Sequence, residues 1–312
     1  MNLRYFLIII LLVICATSAY GQWDPQISQY WRVKTFFNPA FAGETENIQM
    51  TGLYRMQWLG VENAPKTLII SGDMPFKFLG RVHGVGLLMM NESIGLYSNS
   101  QMAGQYAYKK KFKKNTLNIG AQIGLTRIGF DADGIKDVWT DENDEAKPTM
   151  SEQASVFDAN IGVSWIAPNY YAGISVTHIM EPSYELNETY SSFINRAYYL
   201  TAGYNIQLRN PLIELQPSVL VKSDVVFTQF DFTGRIVYNK MFNGGISWRK
   251  DDGFVFLLGI KYKGFDAGYA YDLSNSGMSS GTSGSHELFV RYSMPIKLNK
   301  TQRNSHKSIR LL

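Results

Sequence analysis

Cysteine is almost missing from this chain: Cys15 is the only one in 312 residues. That excludes a disulfide framework and, past the first residues, any thiol nucleophile or thiolate metal cage. Imidazole is scarce as well, with His83, His178, His286 and His306. These four are far apart in sequence, so no metal site is expected. His178 comes just after Ser175 and Thr177, and His286 sits beside Ser285 and Glu287. Neither grouping has the spacing of a known catalytic device, so structural roles are expected and a lipase using His178 is the weakest reading. Glycine pairs such as Gly84/Gly86 and Gly244-Gly245 precede no helix and are not phosphate cradles; they read as aids to strand curvature and close packing. No cofactor is expected. Past the N-terminal segment, no run reaches the roughly 18 apolar residues of a helical span. Charge of either sign is modest: setting aside Arg4, the formal excess is about +3 from the whole chain's +4. That is too mild for nucleic acid.

The N-terminal segment is the one greasy stretch. Arg4 is followed by an apolar run from Tyr5 to Ala16, then small residues Ala19 and Gly21. Residues 1–21 read as a secretory signal peptide cleaved after Gly21. A membrane anchor and lipidation at Cys15 are poorer readings, because the run is short and Val13 and Ile14 are bulky for a lipoprotein signal.

From Ile48 onward the chain is patterned with a period of two. Between Asn115 and Asp131, the odd positions Leu117, Ile119, Ala121, Ile123 and Leu125 are apolar, whereas Asn118, Gly120, Gln122, Gly124 and Thr126 are small or polar. This is a strand with one greasy and one wet face. Its length suits a tilted bilayer-crossing strand of about 9 to 11 residues. Ile48, Met50, Tyr54, Met56 and Trp58 alternate in the same way with Gln49, Thr51, Arg55 and Gln57. Similar stretches recur to Met294, giving fourteen candidates. An even-numbered antiparallel transmembrane β-barrel over 48–294 is therefore expected, since an open sheet edge cannot sit in hydrocarbon. Gln49, Arg55, Gln57 and Gln122 are the candidate lumen residues, with Asn160 and Gln229 also inward. Trp58, Trp165 and Trp248 fit interfacial aromatic girdles.

The connections carry an orientation. Long ones fall at 132–153, 180–196 and 274–285, and short ones at 166–169, 208–212, 239–241 and 263–264, as barrels with outer loops and periplasmic turns require. The longest loop is acidic, and weak surface calcium binding there is a minor reading. The short-turn side is basic. It carries Lys109, Lys110, Lys111, Lys113 and Lys114 around Phe112, and a tail from Pro295 to Leu312 with Lys297, Lys300 and Arg303 and no acid. A docking face for a partner and a solvated rim beside acidic lipid are both open readings.

Residues 22–47 show no clean period. With Pro25 and an Asn38-Pro39 turn they read as an extended lead-in, neither strand nor helix, folded into the barrel as a plug or laid along its periplasmic mouth. Their sequence is Asp24-Pro25-Gln26-Ile27-Ser28-Gln29-Tyr30, then Asn38-Pro39-Ala40-Phe41-Ala42-Gly43. This resembles the opening signature of the PorP/SprF family of outer-membrane type IX secretion components. Arg55, Gln57-Trp58, Gly60, Pro65 and Thr67, then Gly84, Gly86, Gly95 and Tyr106-Ala107-Tyr108, look like its next blocks. Gly268-Tyr269-Ala270-Tyr271-Asp272 and Gly284-Ser285-His286-Glu287 look like its closing ones. Two positions depart: Trp31-Arg32-Val33 stands where Met-Phe-Asn is usual, and Glu92 where aspartate is common.

The resemblance implies a non-enzymatic barrel in the outer membrane of a Gram-negative bacterium. Its implied partners are outer-membrane lipids, periplasmic ring and peptidoglycan-binding lipoproteins of the PorK, PorN and PorE kind, and exported proteins with C-terminal sorting domains, including gliding adhesins. The expected docking residues are Pro25, Gln26, Ser28, Gln29, Tyr30, Asn38, Pro39, Ala40, Phe41 and Gly43 with the basic rim and tail. The competing reading is a small-solute channel, motivated by the polar inward positions.

Overall fold

A computed structural model describes residues 24–131, 151–186, 191–250, 252–274 and 281–296. Residues 1–21, expected to be a signal peptide, the acidic stretch 132–150 and the tail cations Lys297, Lys300 and Arg303 lie outside the described residues.

The wall begins with β1 (Asn47–Met56), β2 (Lys66–Phe78), β3 (Arg81–Ile94), β4 (Tyr97–Phe112), β5 (Asn115–Phe130), β6 (Glu152–Ile166) and β7 (Tyr170–Thr177). It continues with β8 (Ala197–Tyr204), β9 (Ile213–Ser223), β10 (Thr228–Tyr238), β11 (Phe242–Arg249), β12 (Gly253–Tyr262), β13 (Phe265–Ser274) and β14 (Ser285–Pro295). Each strand pairs antiparallel with its sequence neighbour, the short piece Ile206–Gln207 prolonging β8 against β9. The ends meet where β1 pairs β14 from Asn47↔Pro295 to Met56↔His286. The result is a closed barrel of fourteen strands, which leaves no unpaired backbone edge to face lipid. A small hairpin, Ser183–Glu185 with Ser191–Phe193, decorates the β7–β8 connection.

Burial runs opposite to that of a water-soluble protein. On β5, Ile119, Ile123 and Leu125 are exposed, Ile123 to 66 %, while Asn118, Gln122 and Thr126 on the other face are buried. Such exposed apolar area is stable only against lipid. Aromatic side chains mark both rims: Trp248 stacks with Phe232 at 5.9 Å near the long-loop end, and Trp165 with Phe112 at 6.0 Å near the short-turn end.

Several strand ends differ from the periodicity reading. β2 runs on through Pro75, which pairs with Gly84, to Phe78. Proline costs only one ladder donor, and the alternation continues across it. β7 stops at Thr177, two residues earlier than its apolar pattern, because His178 turns to a φ of 54°. The larger difference concerns the lead-in, which is not extended throughout. It folds into three short helical turns at Tyr30–Arg32, Lys34–Phe37 and Pro39–Phe41. Enclosed in the barrel, its backbone must find donors and acceptors locally. Local bonds such as Asn38 N–H to Lys34 O at 2.9 Å and Ala42 N–H to Pro39 O at 3.1 Å supply them.

Candidate functional site: a plugged lumen

Residues 25–43 lie inside the barrel almost without exposure, Tyr30 and Ala40 at 0 %. The segment starts near the long-loop end and leaves at the short-turn end, held at several levels along its path.

At the outermost level, Asp24 meets the start of β8, the end of β9 and the residue directly after β7. Its carboxylate accepts from Tyr199 Oη–H and lies 3.3 Å from His178 Nε2, and Lys222 Nζ donates to its carbonyl at 2.8 Å. His178 Nδ1 faces Asp158, so the imidazole sits between two carboxylates. Burial alone would lower its affinity for protons, but Asp24 and Asp158 push the pKa up to about 9. Burial likewise would raise Asp24, and His178 with Lys222 holds it below the usual carboxylate range. Both groups are therefore charged near neutral pH.

One step deeper, Glu287 accepts the backbone N–H groups of Ser28 and Gln29 at 2.7 and 2.8 Å. Arg55 donates to Ser28 Oγ and to Asp272, both at 2.8 Å, and lies 3.4 Å from Glu287. Arg249 bridges Asp272 at 2.9 Å and Asp231 at 3.1 Å. Arg55, Arg249, Asp231, Asp272 and Glu287 are all at least 98 % buried. Charges so enclosed persist only when paired and hydrogen-bonded; Arg55 Nε alone of this cluster has no partner among the described residues. The pairing here includes the plug's own backbone.

The middle level is aromatic and cationic. Tyr30 Oη bonds Ser218 at 3.0 Å and Thr233 at 3.1 Å, and burial pushes its pKa up to about 12, so it remains a neutral donor. Arg235 lies 4.3 Å over the Trp31 ring, and Arg32 4.6 Å over Phe289. Arg32 also pairs with Asp266 and reaches Asn243 at 3.2 Å.

The innermost seat holds Asn38 to Gly43. In register across β3 to β7 the wall presents Gly84, Ala107, Gly120, Gly162 and Ser175. A β-carbon on Gly84 would meet Ala42 O at 1.9 Å; one on Gly120 would meet Ala40 N at 2.2 Å, and one on Gly162 would meet Asn38 Oδ1 at 2.1 Å. The plug backbone thus lies directly on the sheet, as close approach at glycine allows. Asn38 Nδ2 donates to the wall carbonyls of Val163 at 3.1 Å and Ile174 at 3.0 Å, while its Oδ1 accepts from Ala40 N–H at 2.9 Å. Wall side chains return the contact. Gln105 donates to Thr35 O at 2.8 Å, Ser175 to Phe37 O at 2.7 Å, and Gly43 N–H donates to Asp73 at 2.8 Å.

The expected docking residues are therefore divided. Pro25, Gln26, Ser28, Gln29, Tyr30, Asn38, Pro39, Ala40, Phe41 and Gly43 form the plug, packed against the inner wall. Lys109 turns inward to the carbonyl of Gly43. Lys110, Lys111, Lys113 and Lys114 stand on the short-turn rim, Lys110 and Lys111 at the end of β4 and the other two in the turn. Of the lumen candidates, Arg55, Gln57 and Gln122 are buried and Gln49 is half-buried. Gln122 accepts from Gln105 at 2.6 Å. The sequence alone assigns no site role to Asp231, Arg249, Gly120 or Gly162, and Asp272 enters only within the closing block of the resemblance. Gly120 stands between Asn118 and Gln122 on the wet face, and that spacing is a usable signal of a close neighbour. Gly84, expected from the sequence to ease strand curvature and close packing, gives the plug its close approach at Ala42.

The family model for the type IX secretion system membrane protein PorP/SprF matches residues 19–292. The chain belongs to the PorP/SprF family. With the closed barrel, this makes it an outer-membrane protein and a component of type IX secretion. Among solved structures, the PorP/SprF chain is similar to the Ralstonia pickettii toluene transporter TbuX, at 9 % identity and a TM-score of 0.49 over 85 % of this chain and 93 % of that one. It is also similar to the Acinetobacter baumannii outer membrane protein Omp33, at 8 % identity and 0.45 over 80 % and 98 %. No curated protein matches the sequence.

Proposed function

We propose that this PorP/SprF chain is a non-enzymatic, closed scaffold that ties periplasmic ring and peptidoglycan-binding lipoproteins to the outer membrane and so supports export or surface attachment of proteins with C-terminal sorting domains. The plug carries this reading. A lumen filled by the chain's own backbone, with Ser28 and Gln29 bonded to a buried carboxylate, suits a wall-bound anchor better than a solute path. Docking then falls to the rim lysines 110, 111, 113 and 114 and the basic tail.

Two measurements test it. Purified protein in planar bilayers should be silent, and affinity purification from native membranes should recover the ring lipoproteins; steady conductance without them would favour the small-solute channel. Removing residues 297–312 from a folded barrel should weaken that recovery, and undiminished recovery rejects the tail's share.

A further inference from the structure

At the short-turn end, where the plug leaves the lumen, a cleft of about 490 Å³ opens between Glu44, Thr45 and Glu46 on one side and Arg81, Lys110 and Lys111 on the other. That volume lies within the range of about 300–1,000 Å³ typical of ligand pockets. Two buried oxygens on its lining make no hydrogen bond among the described residues: Asn118 Oδ1, on a residue with no exposure, and Thr45 Oγ1. The Asn118 amide is oriented by its other end, since Nδ2 donates to Ser164 Oγ at 3.0 Å, which leaves the carbonyl oxygen as an acceptor in need of a donor. Lys110 lies 5.1 Å over the Phe112 ring, neither it nor Lys111 forms an ion pair among the described residues, and Arg81 is held by Tyr108.

With Glu44 paired to Lys34 and Lys109 bonded to Gly43 O, the one remaining acid, Glu46, stands against Arg81, Lys110 and Lys111, so the lining calls for an N–H group at depth and negative charge at its basic edge. An extended peptide with acidic side chains supplies both, a main-chain donor for Asn118 Oδ1 and carboxylates for the lysines and Arg81. Lipid headgroups could reach Lys110 and Arg81, which share the outward side of the wall with Tyr106 and Tyr108, but not Asn118 and Lys111, which face inward, opposite the lipid-facing Ile119. We propose that this cleft is a binding site for an acidic peptide segment of a periplasmic partner. Lys109 and Glu44 connect it to the plug: Lys109 donates to Gly43 O, and Glu44 pairs with Lys34. An occupant thus lies against the last turn of the plug.

The inference rests on the scaffold reading only in taking the partner to be periplasmic. The full chain in phosphatidylcholine nanodiscs is titrated with a capped tetrapeptide carrying two central glutamates and with its dilysine counterpart. The diglutamate peptide should bind and the dilysine peptide should not. Lys110→Gln with Lys111→Gln should weaken binding at least fivefold, and Asn118→Asp should also weaken it, with heat-modifiable migration checking that each barrel is folded. Equal binding of the two peptides, no binding, or unchanged binding by both variants overturns the site. Competition by inorganic phosphate at equal affinity would make it an anion site only, and loss of peptide binding on adding phosphatidylglycerol would assign it to lipid. Either result also overturns the proposal. If ring lipoproteins are still recovered while the peptide fails, the cleft falls and the scaffold stands; the converse leaves the peptide measurement intact.

Discussion

Ala42 lies so close to Gly84 that a β-carbon on the glycine would stand 1.9 Å from the alanine's carbonyl oxygen. The plug is thus seated backbone to backbone, and the wall has no room to retreat because each seat strand is hydrogen-bonded on both sides.

Gly120→Val should therefore unseat the plug. Its β-carbon would meet backbone atoms of Ala40 at 2.2 and 2.5 Å. The expected outcome is new protease sensitivity in residues 24–46 and measurable conductance in planar bilayers. Gly104→Ala is the control, since its β-carbon would meet nothing within 4 Å. Silent bilayers with Gly120→Val would show that the seat does not hold the plug.

Asn38→Ala removes an amide that bonds two wall carbonyls and a plug N–H. The loss should destabilise the folded barrel by about 1–3 kcal/mol, the range for buried hydrogen-bonding groups left without partners. Asn38→Asp should be worse, because a carboxylate would face the carbonyls of Val163 and Ile174. Thermal unfolding of the two variants side by side checks the order.

Glu287→Ala leaves Arg55 and two plug N–H groups short of their acceptor. A broken buried ion pair typically costs about 3–5 kcal/mol. A double-mutant cycle with Ser28→Ala, which spares the backbone donor, should show coupling well below that of Glu287 with Arg55→Ala. Equal couplings would mean the serine hydroxyl, and not the chain itself, is what Glu287 holds.

His178 gives the plug's outer end a pH dependence. Its pKa in the folded protein, about 9, exceeds the unperturbed value of about 6.5. The stabilisation it confers is complete below the unperturbed value and is lost as pH rises through the folded one. Cleavage near residues 24–29 by an alkali-tolerant protease should increase between about pH 7 and pH 10 in the native chain, and His178→Gln should flatten the response. A native chain equally resistant at both pH values would show that His178 does not hold the plug's outer end.

Much is legible in the residues alone. The alternation on β5 fixes which side chains meet lipid, because a strand's faces are decided by parity, and the paucity of long apolar runs leaves only a closed barrel as a way to cross. Connection lengths then orient it. What only the three-dimensional structure decides is the interior. The level at which Gly84, Ala107, Gly120 and Gly162 line up depends on inter-strand register, and Arg55 meets Asp272 and Glu287 across more than 200 residues of chain. Local periodicity says that such residues face inward; the relative stagger of the strands determines what they find there. For this chain that is its own N-terminal segment.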